Sequence, residues 1–354
     1  MNIKSLLLGS AAALVAVSGA RAADAVNVAA EPEPAEYVRV CDTYGSGYFY
    51  IPGTETCLRI GGYVRVDFGM GDGPYGGKVD AGSGDDTYNH KARLSLRTWT
   101  GSETELGTLS TYTETRFNYA DESGNSNSLN FAWVQLGGFR VGKDESVFTT
   151  FAGYAGGVIA DDMIGYGPFD TNLISYTLDA GNGFSGIIAL ETGEASSAYE
   201  IDSYLPHVVA GAKYAGGWGA ATGVFGYDSV NEEWAGKVRV DLNVNEQISL
   251  FVMGGYGTND NGNGNNYKPW NGDWAVWGGA SFKVNDKATV NAQVSYDEGN
   301  GTDGDLAVAA NIDYEVVKGL HVIPEVTYSD YASVSTSAPG SEGIGGFLRF
   351  QRNF

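Results

Sequence analysis

Past residue 22 the sequence has no apolar run long enough to cross a membrane as a helix, and its mean hydropathy is only −0.18. It is short of proline and histidine, with 9 and 3, and holds just two cysteines. Positive charge is the scarcer sign: 21 Lys and Arg stand against 43 Asp and Glu, a formal net charge of −22. Nucleic-acid backbones are bound through Lys and Arg, so this balance argues against nucleic acid as a partner. Few prolines beside 52 glycines and 22 tyrosines is not the composition of a disordered chain. It suits a turn-rich β protein. A hydrolase needs a base beside a nucleophile, and nothing in the positions of His90, His207 and His321 suggests such a pair. The two cysteines are spaced wrongly for a metal site, and the Asx-rich stretch 259–266 lacks the closing Glu of a calcium loop. No cofactor or metal is expected.

What is present begins with an export signal. "MNIK" is a short basic region, "SLLLGSAAALVAVSG" an apolar one, and "ARA" a cleavage site, which places the cut after Ala22. Losing Lys4 and Arg21 with no acid takes the formal charge from −22 to −24. In the oxidising compartment that follows, Cys41 and Cys57 are expected to form one disulfide around "DTYGSGYFYIPGTET". Residues 23–36 read as a flexible acidic arm, and 23–57 together as an N-terminal periplasmic arm ahead of a domain over 58–354.

That domain is two-faced. In "DWAVWGGASFKVNDKATVNAQVSYD" (273–297), Trp274, Val276, Gly278, Ala280, Phe282 and Val284 alternate with mostly polar or small residues, Trp277 excepted. After "NDK" the pattern resumes, with Val290, Val294 and Tyr296 against Asn291, Gln293 and Asp297. The same alternation predicts sixteen strands, near 58–70, 91–100, 108–120, 129–138, 139–145, 171–179, 184–193, 207–215, 218–228, 234–243, 248–257, 273–283, 288–297, 305–315, 320–330 and 342–354. Most are long enough to span a bilayer at a tilt. Short connections such as 137–138, 180–183 and 284–287 alternate with long ones such as 71–90, 121–128, 146–170, 194–206, 258–272 and 331–341. Full charges on the second face, among them Arg65, Lys237 and Arg239, require water. Tyr119, Tyr227, Tyr256, Tyr296, Tyr328, Trp234 and Trp274 would fall at one membrane height, and Tyr214, Phe282, Tyr314 and Phe354 at the other. The expectation is an all-β fold: a sixteen-stranded antiparallel transmembrane β-barrel, its oily face on lipid, with short periplasmic turns and long external loops.

The segment "EYVRVCDTYGSGYFYIPGTETCLRIGGYVR" (36–65) resembles the start of alphaproteobacterial general porins of the Brucella and rhizobial type, and "PHVVAGAKYAGGWG" (206–219), "NGDWAVWGGA" (271–280) and "FLRFQRNF" (347–354) are similar to the same family. The resemblance covers essentially the whole chain, the export signal included. It implies a homotrimer among the lipid and lipopolysaccharide of the outer membrane. It also implies passive diffusion of small hydrophilic solutes and ions, and one long loop folded into the lumen. One departure is visible: Arg352 interrupts the apolar series Phe354, Phe350, Leu348.

Residues 146–170, "SVFTTFAGYAGGVIADDMIGYGPFD", are the aromatic-rich and least polar of the long loops, and an apolar loop needs something to pack against. It carries Asp161 and Asp162, with Asp170 at its end and Asp144 and Glu145 before it. Inward-facing basic residues gather early: Arg59, Arg65, Lys91, Arg93, Arg97, Arg116 and Arg140. An acidic loop opposite a basic wall would make a charged constriction that orients dipolar solutes; the acidic excess predicts a mild cation preference. The outer face of the third strand, Leu109, Thr111, Thr113, Thr115 and Phe117, suits lipid poorly and, with Gly62 and Gly346, fits a subunit interface. The competing readings are a non-conducting structural or adhesive barrel and a soluble secreted β protein.

Overall fold

Sixteen antiparallel strands, each hydrogen-bonded to the next, close into a ring when the last pairs with the first. They are β1 (Cys57–Gly71), β2 (Asn89–Thr104), β3 (Gly107–Ala120), β4 (Gly124–Leu136), β5 (Phe139–Glu145), β6 (Asp170–Gly181), β7 (Phe184–Glu191), β8 (His207–Gly216), β9 (Gly219–Asp228), β10 (Glu233–Asn243), β11 (Ile248–Gly257), β12 (Trp274–Asn285), β13 (Ala288–Asp297), β14 (Asp305–Val317), β15 (Leu320–Tyr331) and β16 (Glu342–Asn353). At the seam Phe350 lies opposite Val66 and Asn353 opposite Tyr63. The computed structural model describes residues 38–72, 76–79, 86–121, 123–195, 198–259, 264–299, 303–331 and 342–354. The expected export signal and acidic arm over 1–36 lie outside them.

Burial in this ring is inverted relative to a soluble protein. Val238 is 63 % exposed while its neighbour Lys237 is 2 % exposed. Ile60, Val64, Val252, Val276, Val294 and Val326 point outward and lie bare; Asn291, Gln293, Ser295 and Asp297 point inward and are buried. A soluble sheet would gain nothing from this arrangement, whereas lipid against the outer face makes it favourable. Closure also leaves no strand edge whose backbone groups would go unpaired in hydrocarbon. The predicted aromatic belt forms: Trp234 lies 5.7 Å from Tyr256 and 6.0 Å from Phe225, and Trp274 lies 5.6 Å from Tyr296. At the opposite height Phe184 and Tyr214 are 4.6 Å apart.

The strand boundaries follow the alternation closely, with one clear departure. Most of the loop expected over 121–128 is strand, because β4 already pairs with β3 from Gly124 opposite Ala120. Asn125, Ser126, Asn127 and Ser128 are polar on both faces, so no alternation marks that end of β4 as strand. On the other side the turns are short; Asn182 and Gly183 supply the positive φ, 52° and 84°, that the β6–β7 hairpin needs. Arg352 does not sit in apolar surroundings: its guanidinium donates to Lys318 O at 2.7 Å, reaching past the oily face to the β14–β15 turn. Cys41 and Cys57 are bonded, with Cα atoms 6.0 Å apart and both side chains buried. The loop they close adds a short strand, Phe49–Tyr50, beside the start of β1.

Candidate functional site

Residues 146–169 join β5 to β6. The segment opens with a single helical turn, α1 (Val147–Thr150), whose cap Ser146 accepts from Phe148 N at 3.2 Å. Its apolar residues Val147, Phe148, Ala152, Ala155, Ile164 and Tyr166 are buried, which explains why this loop is so poor in charge.

The segment is then tied at intervals to inward-facing side chains of β10 and β12–β15. Arg239 donates to Tyr154 O, and Asn311 to Gly157 O at 3.1 Å. Glu325 accepts from the backbone N–H groups of Ile159 and Ala160. Gln293 donates to Asp161 O at 2.8 Å, Tyr331 to Met163 O at 3.0 Å and Trp277 to Ile164 O at 2.9 Å. Lys237 donates to Tyr166 O beneath the rings of Phe148 and Tyr166, 4.5 and 5.5 Å from their centroids. Each bond satisfies a loop carbonyl or N–H that burial would otherwise strand. Trp277, the one aromatic that broke the alternation of β12, is thus an inward anchor.

The acidic residues separate into two groups. Asp144 pairs with Arg140 at 2.7 Å, Asp170 with Lys143, and Glu145 accepts from the Tyr154 hydroxyl, so these three sit at the root of the loop. Asp161 and Asp162 lie in its middle. Burial, reinforced by the adjacent Asp162 charge, pushes the Asp161 carboxyl up to about 7, although Tyr166 donates to it at 2.8 Å.

Of the seven basic residues, β1–β3 bring five together: Arg65, Lys91, Arg93, Arg97 and Arg116. Arg97 and Arg116 share the fully buried Glu114, at 2.8 and 2.6 Å, and Tyr112 and Ser95 also donate to it. Arg65 and Arg93 stand directly opposite each other and bond to amide oxygens, of Gln351 at 2.8 Å and of Asn118 at 2.6 Å. Arg59 lies apart, stacked 3.8 Å over Trp99 near the disulfide loop. Arg140 lies apart too, on β5 with Asp144, Gln135 and the Trp133 ring. Sequence reasoning missed Arg349, which grips Asp67 through two bonds at 2.8 and 3.1 Å, and Glu114 and Glu325 as carboxylates inside the ring. All three have inward parity, so alternation was the signal available for them. Lys237 and Arg239 were read as inward but not as partners of the loop.

The histidines are engaged elsewhere. His90 meets Asp121 at 2.9 Å and His321 meets Asp313 at 2.7 Å. His207 has Ser229 Oγ at 3.3 Å and Asp228 at 3.4 Å, but both face Nδ1, which already accepts from Ser229 N at 2.9 Å. A relay needs nucleophile and acid on different ring nitrogens.

A closed ring with lipid-ready outer and charged inner faces has known counterparts. The channel DcaP of Acinetobacter baumannii superimposes with a TM-score of 0.68 over 86 % of this chain and 99 % of its own, at 16 % identity. An anion-selective porin from Comamonas acidovorans gives 0.60 over 85 % and 100 %, at 14 %. Identities this low speak for the fold alone. Sequence relatives go further: porin Omp2b of Brucella neotomae is 53 % identical and that of Brucella abortus strain 2308 52 %, each over the whole of both chains. The family described as "Porin subfamily" matches residues 24–346, and the chain belongs to that family of outer-membrane porins.

Proposed function

We propose that residues 146–169 lie across the lumen of this general diffusion porin and set its narrowest point, with Asp161 and Asp162 on one side and Arg65, Lys91, Arg93, Arg97 and Arg116 on the other. The chain is an outer-membrane channel, and the proposal concerns what limits passage of small hydrophilic solutes and ions. The observation that supports it most is the series of bonds from this segment to β10 and β12–β15. In a ring of sixteen, β10 lies across from β2 and β12–β15 lie across from β4–β7, so the segment, rooted between β5 and β6, reaches the far wall and these bonds hold it there. Asp144, Glu145 and Asp170 are given the lesser role of fixing the loop's root, and Arg59 and Arg140 that of lining the two sides away from the narrowing.

The net charge of −22 supports a mild cation preference in the open lumen. Purified protein in a planar lipid bilayer tests this directly. A stable conductance with a reversal potential toward the cation in a salt gradient is expected. Clear anion preference removes the selectivity proposal, and the absence of conductance favours a structural or adhesive barrel. Residues 1–22 are proposed to be removed on export, leaving the disulfide-bearing arm in the periplasm.

A homotrimer is proposed on the outer face of β2 and β3. There Thr98 meets Thr113 and Thr100 meets Thr111, each through hydroxyls 2.6 Å apart. Hydroxyls satisfied within the sheet can press against a second protein surface more readily than against acyl chains. Cross-linking in mild detergent should give a three-barrel species, and replacing Thr111 and Thr113 with leucine should weaken it.

A further inference from the structure

We infer that the β11–β12 loop, residues 264–273, is a wedge that holds segment 146–169 in place, making Tyr267 and Trp270 positioning residues for the width of the channel. Both come from an external loop, yet Tyr267 is 0 % and Trp270 3 % exposed. The Tyr267 ring lies 5.1 Å from Phe148 at the start of the inner segment. Its hydroxyl donates to Glu191 at 3.0 Å, and the same carboxylate accepts from Ser146 Oγ at 2.7 Å and Val147 N at 2.8 Å. One buried acid therefore ties both loops together. Trp270 lies 5.6 Å from Trp277, whose indole N–H holds Ile164 O.

The space for this wedge is written into three glycines. A Cβ on Gly226 of β9 would stand 2.6 Å from the Tyr267 ring, one on Gly255 of β11 3.0 Å from the Trp270 ring, and one on Gly165 of the inner segment 3.0 Å from Pro269. None of the three has a left-handed φ, so it is the missing side chain rather than backbone freedom that the fold uses there. The wedge is fastened to the rim as well. Asn265 donates to Trp234 O and Thr258 O at 3.0 and 2.9 Å, and Asn266 N to Asp228 at 2.9 Å. The inner segment is thus gripped by strands on one side and by this loop at its root and its far end. Whatever displaces the external loop would loosen the segment below it.

The inference rests on the reading of 146–169 as the constriction, and the experiment separates the two. Single-channel conductance of the full chain is recorded for Gly226→Ala, Tyr267→Ala, Tyr267→Phe and Asp161→Lys, each first checked for heat-modifiable migration as a folded barrel. Gly226→Ala and Tyr267→Ala should change conductance by roughly 1.5-fold or more and broaden the open levels, since conductance follows the pore's narrowest lining. Tyr267→Phe keeps the ring between Gly226 and Phe148 and should stay near the parent. If Gly226→Ala does not fold, the contrast between Tyr267→Ala and Tyr267→Phe decides. Parent-like conductance of folded Tyr267→Ala, with Asp161→Lys altered, overturns the wedge and leaves the constriction standing. Parent-like behaviour of both overturns the constriction and the wedge with it.

Discussion

The two walls of this ring spend their polar groups differently. On β10 and β12–β15, Lys237, Arg239, Gln293, Asn311 and Glu325 point inward and are used up on the backbone of segment 146–169. On β1–β3 and β16 the inward groups bond mainly to one another: Arg97 and Arg116 to Glu114, Arg349 to Asp67, Arg65 to Gln351. The first wall is a mould for a loop, and its amides and charges are judged by geometry. The bonds described on the second run among its own side chains, and it is judged by its field. A like-charged pair such as Arg65 and Arg93, face to face across neighbouring strands, is tolerable only where water screens it.

The heaviest blow to this contrast should come from Trp277→Ala. It removes a fully buried ring and the donor for Ile164 O, and comparable truncations cost about 3–5 kcal/mol. The loop should detach from β12, seen as new protease cleavage within 146–169 and as unstable conductance; a protected loop with steady conductance would mean the wall is no mould.

A smaller effect is expected from charge removal, and it should differ between walls. Replacing Arg65 and Arg93 together by Gln should raise the cation-to-anion permeability ratio by roughly two-fold. Replacing Arg239 by Gln should move it less, because Asp241 already neutralises that guanidinium at 2.7 Å. Equal shifts in a salt gradient would erase the distinction.

The slightest effect is the titration of Asp161. A carboxyl raised to about 7 is neutral below that pH and charged above it, so cation preference should climb as pH passes through about 7. Asp161→Asn should abolish the step in reversal potential, and a step that persists would assign it to another group.

The strands were legible because alternation is strong where one face meets lipid and the other water: Trp234, Val238 and Val240 against Lys237 and Arg239 leave one register only. It faded at β4, where Asn125 to Ser128 extend the hairpin with no oily face. The proposed constriction was half legible. The loop's apolar residues announced that it packs on something, and parity announced Arg65, Lys91 and Arg93. That Asp144 and Asp170 would be spent on Arg140 and Lys143 depends on where β5 ends and β6 begins, which composition does not show.

The sequence by itself determined which side chains of each strand face in and which face out, because successive residues of an extended chain point to opposite sides whatever lies around them. Only the closed ring decided that Glu191 would meet both Ser146 and Tyr267, and that Trp277 would hold Ile164. Those partners are up to 113 residues apart along the chain, and only the register of the intervening strands brings them within bonding distance.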